Sequence, residues 1–240
     1  MEINVMTVKY SIFGNYDFVD NTPENVSKLY ESFGKEGFMP NMVTLLKIEQ
    51  PQNKVDQLYR PQLVNKSMPC TITILPERVD IETSEGIELE KILDYFKRII
   101  DSFNLKINRI ALNKTSIIAN LTKDEQEKLN EKLTPPENCC GEQELIEYVS
   151  HRVVRKKNDY LDEKINIGRN LTSATTSATT STNGETVIDK VQVDTDINTR
   201  GENTKERFEI NHCEHFFEFA IECDQEILEN MVRVINESKN

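Results

Sequence analysis

The sequence predicts an α+β chain in which mixed or antiparallel sheets pack against helices and helices close the C-terminus. Three observations carry this. Apolar and polar residues alternate in several separated runs, and two long stretches repeat apolar residues at helical spacing. The two kinds of run also do not follow the regular strand–helix alternation of a parallel sheet.

The first element is a strand, because Met6, Val8, Tyr10 and Ile12 alternate with Thr7, Lys9 and Ser11. A helix follows. Thr22 suits its N-cap, Pro23 its first position, and Val26, Leu29, Tyr30 and Phe33 line one face before Gly34 and Gly37 end it. Asn41–Ile48 reads as a strand, with Pro51, Asn53, Pro61 and Pro69 punctuating a longer connection. Ile72 and Ile74, the turn Pro76-Glu77-Arg78, then Val79 and Ile81 predict a hairpin. Leu89, Ile92, Leu93, Phe96, Ile99, Ile100 and Phe103 form an unbroken helical stripe behind a start at Ser84 or Glu85. Ile107–Leu121 reads as strand material with a turn at Asn113-Lys114. Thr122-Lys123-Asp124-Glu125 is a capping-box pattern for a short helix to Leu133.

Pro135-Pro136 stops that helix. Residues 135–141 are therefore read as a linker between an N-terminal α+β half, 1–134, and a β-rich half with terminal helices, 142–240. In the second half Tyr148–Val154, Ile165–Leu171 and Val187–Ile197 read as strands. The tract Thr172–Thr182 with Asn183-Gly184 behind it fits either an ordered hairpin or a loop. Residues 198–206 look like a loop. Cys213, Phe216, Phe217, Ala220 and Ile221 then make one helical stripe, and Ile227, Leu228, Met231 and Ile235 another. Asp224 between them would cap the second, giving a kink or a helix pair.

The 240 residues are enough to bury a core without staples. Only 37% are hydrophobic, and 41 acidic against 29 basic residues give a net charge of −12, which disfavours nucleic acid and anionic lipid as partners. Half of that excess lies in residues 201–240, with 10 acidic and 4 basic groups. The start of the chain lacks the pattern of a signal peptide and no run is long enough to span a membrane, so a cytoplasmic protein is expected. Five cysteines, an odd number thinly spread, read as reduced thiols.

Catalytic motifs are lacking: there is no G-x-S-x-G, Walker-type loop, H-E-x-x-H or dinucleotide fingerprint, and no cofactor is expected. Each remaining candidate has a plain competitor. His212-Cys213-x-His215 gathers soft ligands, but Cys213 sits on the apolar stripe, so a core thiol between two histidines competes with a metal site. Asp194 and Asp196 could share a divalent cation, yet strand parity turns Val191, Val193 and Ile197 to the core and both aspartates to solvent. Arg152, Arg155 and Lys156, beside His151, form the one basic run, able to grip phosphate or merely to end a solvated strand. Cys139, after a Pro-rich turn, is either a reactive or an ordinary loop thiol. Glu214, Glu218, Glu222, Glu226 and Glu229 draw a carboxylate ribbon beside the aromatic stripe, suited to a basic partner or simply to water.

The run Val187-Ile188-Asp189 through Val193-Asp194-Thr195-Asp196, a polar loop, and Ile210-Asn211-His212-Cys213-Glu214-His215-Phe216-Phe217 with a closing helix resemble a family of sporadically distributed, uncharacterised bacterial proteins of about this length. The resemblance implies an N-terminal strand–helix half joined to a β-rich half, and it carries no activity. Patchy distribution of that kind fits genes of toxin–antitoxin or anti-phage modules. The expectation is therefore a non-enzymatic protein that binds and regulates another protein, with a homo-oligomer as a further arrangement. A cation-dependent enzyme using Asp194 and Asp196, and a nucleic-acid or nucleotide binder, are the competing readings.

Overall fold

The computed structural model describes residues 1–49, 54–84, 86–122, 124–125, 128–129, 149–175 and 188–237. Alternation in β1 (Glu2–Phe13) turns Tyr10 and Ile12 into the core. A register shift between Val5 and Thr7 throws Met6 outward, so the alternation stops short of it. α1 (Pro23–Phe33) begins as its residues dictate, with Thr22 Oγ1 accepting the Asn25 N–H and Pro23 in the first turn. Next come β2 (Met39–Glu49), β3 (Lys54–Asn65), β4 (Cys70–Ile74) and β5 (Arg78–Thr83), then α2 (Leu89–Phe103) and β6 (Arg109–Ala119). Glu125 closes the capping box at Thr122: its carboxylate accepts the Thr122 N–H, and its own N–H donates to Thr122 Oγ1. β7 (Val149–Asn158), β8 (Glu163–Thr175), β9 (Ile188–Asn198) and α3 (Ile210–Asn236) complete the order. The protein is α+β, with one antiparallel sheet ordered β2-β3-β4-β5-β1-β6-β9-β8-β7.

Three elements differ from the sequence reading, each for a physical reason. The proline-punctuated connection is largely the strand β3; Pro61 fits because it lies beyond the last residue that β4 pairs, so its missing N–H removes no ladder bond on that side. β6 runs straight through Asn113 and Lys114, whose polarity imitates a turn. Each has its own partner on its own face. The two terminal helices are one: Asp224 lies inside α3, 2% exposed, bound by Lys114 Nζ at 2.6 Å and Thr195 Oγ1 at 2.9 Å instead of capping anything.

Strands from both ends of the chain share this sheet through the β1–β6 and β6–β9 ladders. The residues read as a linker, 135–141, lie outside the described residues, as does the threonine tract beyond Thr175.

Two runs of the chain share an outline among the described residues, although α1 and β2 of the first have no described counterpart in the second. β1 opens a run that ends in β5 and α2, and β6 opens a run that ends in β9 and α3. Each opening strand pairs with the closing strand of its own run, and the two opening strands pair with each other antiparallel, the topology of an approximate two-fold axis through the sheet. α1, α2 and α3 bury their apolar stripes on one face: Leu29 and Phe33, Ile92, Phe96 and Ile99, and Phe216, Phe217 and Ala220 join Ile12, Ile81, Leu112 and Ile197 in one core. A second cluster gathers Ile118, Leu171, Val193, Met231 and Ile235 under the end of α3. Among the described residues no helix lies on the other face of β6, β9, β8 and β7. Among the described residues no helix is long and apolar enough to cross a membrane.

Candidate functional site

Parity in β9 creates the site. Val191, Val193 and Ile197 are buried towards α3, and Thr195 on the same side bonds Asp224 of that helix. Asp194, Asp196 and Asn198 therefore stand on the helix-free face. There they meet Asn113 and Thr115 of β6, Asn166, Gly168 and Asn170 of β8, and His151, Val153 and Arg155 of β7, around a groove of about 420 Å³.

Neutral donors hold both carboxylates. Asp194 Oδ1 accepts from Thr115 Oγ1 at 2.8 Å and from Gln192 Nε2 at 3.0 Å. Asp196 Oδ1 accepts from Asn113 Nδ2 and Asn198 Nδ2, both at 3.0 Å. Asn198 in turn accepts from Asn166, and Asn166 accepts from Arg155 Nε at 2.9 Å, so the Arg155 guanidinium is tied to amides. Gly168 forms the floor: a Cβ there would sit 3.2 Å from the Asp196 carbonyl oxygen and 3.9 Å from Val153. The arrangement can orient hydrogen bonds and hold a cationic group. Among the described residues no three His, Cys, Asp or Glu side chains converge as a metal centre requires.

The basic run is split by its own strand. Arg155 faces the groove, whereas Lys156 faces α3 and Arg152 stands opposite Arg169 across the β7–β8 ladder, on the helix side. Burial and then the Arg152 charge push the Arg169 guanidinium below its usual pKa, and its Nε, buried, has no partner among the described residues. Lys156 Nζ lies 3.3 Å from Glu226, and that hydrogen bond raises the ammonium pKa. The basic residues also sit on an edge strand, where charge discourages pairing with foreign strands.

Glu214, Glu218, Glu222, Glu226 and Glu229 are all exposed on α3, as their spacing predicts, and Glu226 meets Lys156. Cys213 is fully buried, which pushes its thiol up to about 12. His212 Nδ1 accepts the Glu209 N–H in the helix cap, and the His215 ring lies 3.7 Å from that of Tyr160. Cys139 lies outside the described residues.

Sequence reasoning reached the aspartates but missed Asn113, Asn166, Asn170 and Gly168. The available signal was the run Asn166, Gly168 and Asn170 at alternate positions of β8, opposite apolar Ile165, Ile167 and Leu171. No protein-family model matches the chain, and no curated protein sequence matches it.

Proposed function

We propose that the protein acts without catalysis by binding another protein, which adds a strand to the β2 edge. The observation that carries this is the contrast between the two ends of the sheet. β7 guards its edge with Arg152, Arg155, Lys156 and Lys157. From Asn41 to Glu49 the β2 edge has only Lys47 and Glu49 as charges, while Met42 is 45% and Leu46 64% exposed.

From Leu58 back to Lys54 no third strand pairs the β2–β3 ladder among the described residues, since β4 pairs β3 only from Gln62 to Asn65. A two-stranded ribbon about 17 Å long therefore projects from the sheet. Such a ribbon is marginal by itself. A partner strand would satisfy its open backbone groups and cover Leu46, Met42 and Tyr59. The exposed glutamate ribbon of α3 suits a partner with a basic surface, and the implied setting is a regulatory or neutralising subunit of a bacterial defence or toxin–antitoxin pair.

Affinity purification from the native host with mass spectrometry tests it. One protein should be recovered in stoichiometric amount with the natural chain and lost with Met42→Ser/Leu46→Ser. A chain that emerges alone and monomeric across salt concentrations overturns the reading, as does a homodimer that the same double variant dissociates.

A further inference from the structure

We propose that the helix-free groove receives an arginine side chain of the partner protein, its guanidinium bound at Asp196 Oδ2 with Asp194 beside it. This rests on the reading that the partner is a protein. The evidence is internal, because the chain builds the same corner twice.

In the first run Ser11 of β1 pairs with Asp80 of β5, and in the second Asn113 of β6 pairs with Asp196 of β9. In both, the residue of the opening strand donates to Oδ1 of the aspartate, Ser11 Oγ at 2.7 Å and Asn113 Nδ2 at 3.0 Å. Oδ2 then differs. Arg78 Nε donates to Asp80 Oδ2 at 2.8 Å, and Asp80 is only 8% exposed. Asp196 is exposed, and its Oδ2 has no hydrogen bond or ion pair with any other described residue.

The registers explain why the second corner is open. Arg78 pairs with Phe13 as Asp194 pairs with Thr115, so the place of the arginine is taken by a second carboxylate and that of the phenylalanine by a small hydroxyl. Thr73 stands opposite Asp80 as Gly168 stands opposite Asp196, so the floor is lowered too. The second corner thus lacks the cation, the aromatic ring and the threonine side chain of the first, and it has one anion more. What fits is the group the first run supplies for itself, a guanidinium whose N–H fork matches a carboxylate. Arg155 does not fill the place, being engaged by Asn166.

The test uses the full chain labelled with nitrogen-15 and three probes: N-acetyl-arginine amide, the lysine analogue and the neutral isostere N-acetyl-citrulline amide. The arginine probe should shift the backbone resonances of Gly168, Asn170 and Asp196 saturably, with the lysine probe weaker and citrulline weaker by about tenfold or more, as befits a charge-assisted bond. Asp196→Asn, isosteric and with a spectrum as dispersed as the natural chain, should abolish the shifts, whereas Asp80→Asn should leave them. Equal shifts with citrulline, no shifts at these residues, or shifts that persist in Asp196→Asn overturn the assignment. With the recovered partner, Asp196→Asn should weaken the complex about tenfold. If Met42→Ser/Leu46→Ser loses the partner while Asp196→Asn keeps it at full affinity, the groove assignment falls and strand addition stands; probe shifts with no recoverable partner overturn the protein-binding reading and leave only a guanidinium site.

Discussion

Lys114 Nζ lies 2.6 Å from Asp224 Oδ2, an ion pair pinned between the centre of the sheet and the middle of its longest helix. Asp224 is 2% exposed and Lys114 17%, so each charge depends on the other for compensation. Removing one partner strands a charge in the interior. Asp224→Ala is expected to cost about 3–5 kcal/mol, lowering the melting temperature by roughly 6–20 °C in a chain of this size. Lys114→Met/Asp224→Leu should regain most of that loss. Calorimetry of the three proteins checks it, and a double variant no more stable than Asp224→Ala would contradict the account.

The opposite end of the scale is the pair Lys156–Glu226, 3.3 Å apart with side chains 48% and 66% exposed. Water and salt screen such a pair, and two long side chains must be ordered to make it. Glu226→Gln should change stability by about 0–1 kcal/mol, with the difference vanishing at high salt. A larger, salt-insensitive loss in urea unfolding would mean that the glutamate does more than meet Lys156.

How far the sequence discloses this molecule depends on the range of each interaction. α1 is legible because its cap and stripe are local, Thr22 with Pro23, and α2 through its stripe alone, for it begins at Leu89 with no side-chain cap and not at Ser84 or Glu85. The β4–β5 hairpin is legible because its turn lies between its own strands. Asp194 and Asp196 were placed correctly on the solvated face because parity is also local. Asp224, Asn113 and Lys114 are illegible for the converse reason: their partners lie 29 to 110 residues away, so locally they carry only polarity, which imitates a cap or a turn.

The repeated course of the chain is hidden in the same way. Phe96 and Phe217, each seven residues after the first residue of its helix, Leu89 and Ile210, stack with centroids 5.9 Å apart and planes 15° apart. The surrounding side chains differ enough that only strand pairing relates the two runs. The open corner at Asp196 is visible only through that relation.

Glu36, at the end of the turn after α1, gives the stability an acid limb. Its carboxylate lies 2.7 Å from Arg98 and 3.9 Å from Lys91, and accepts from Tyr95 Oη at 3.1 Å. Burial alone would push this carboxyl up, but the Arg98 hydrogen bond and charge, with Tyr95 and Lys91, outweigh it and hold the pKa below the ordinary glutamate value of 4.5. A lowered pKa means that the unfolded chain binds the proton more readily than the folded one. The stabilisation is therefore fully present above the ordinary glutamate value and is lost as the pH falls through the lower folded-state value. Glu36→Gln should be less stable than the natural chain at neutral pH, and the gap should narrow progressively as the pH falls below 4.5. Urea unfolding of both proteins across that range checks the sign, and a gap that stays constant to acid pH would show that the contribution of Glu36 is not its charge.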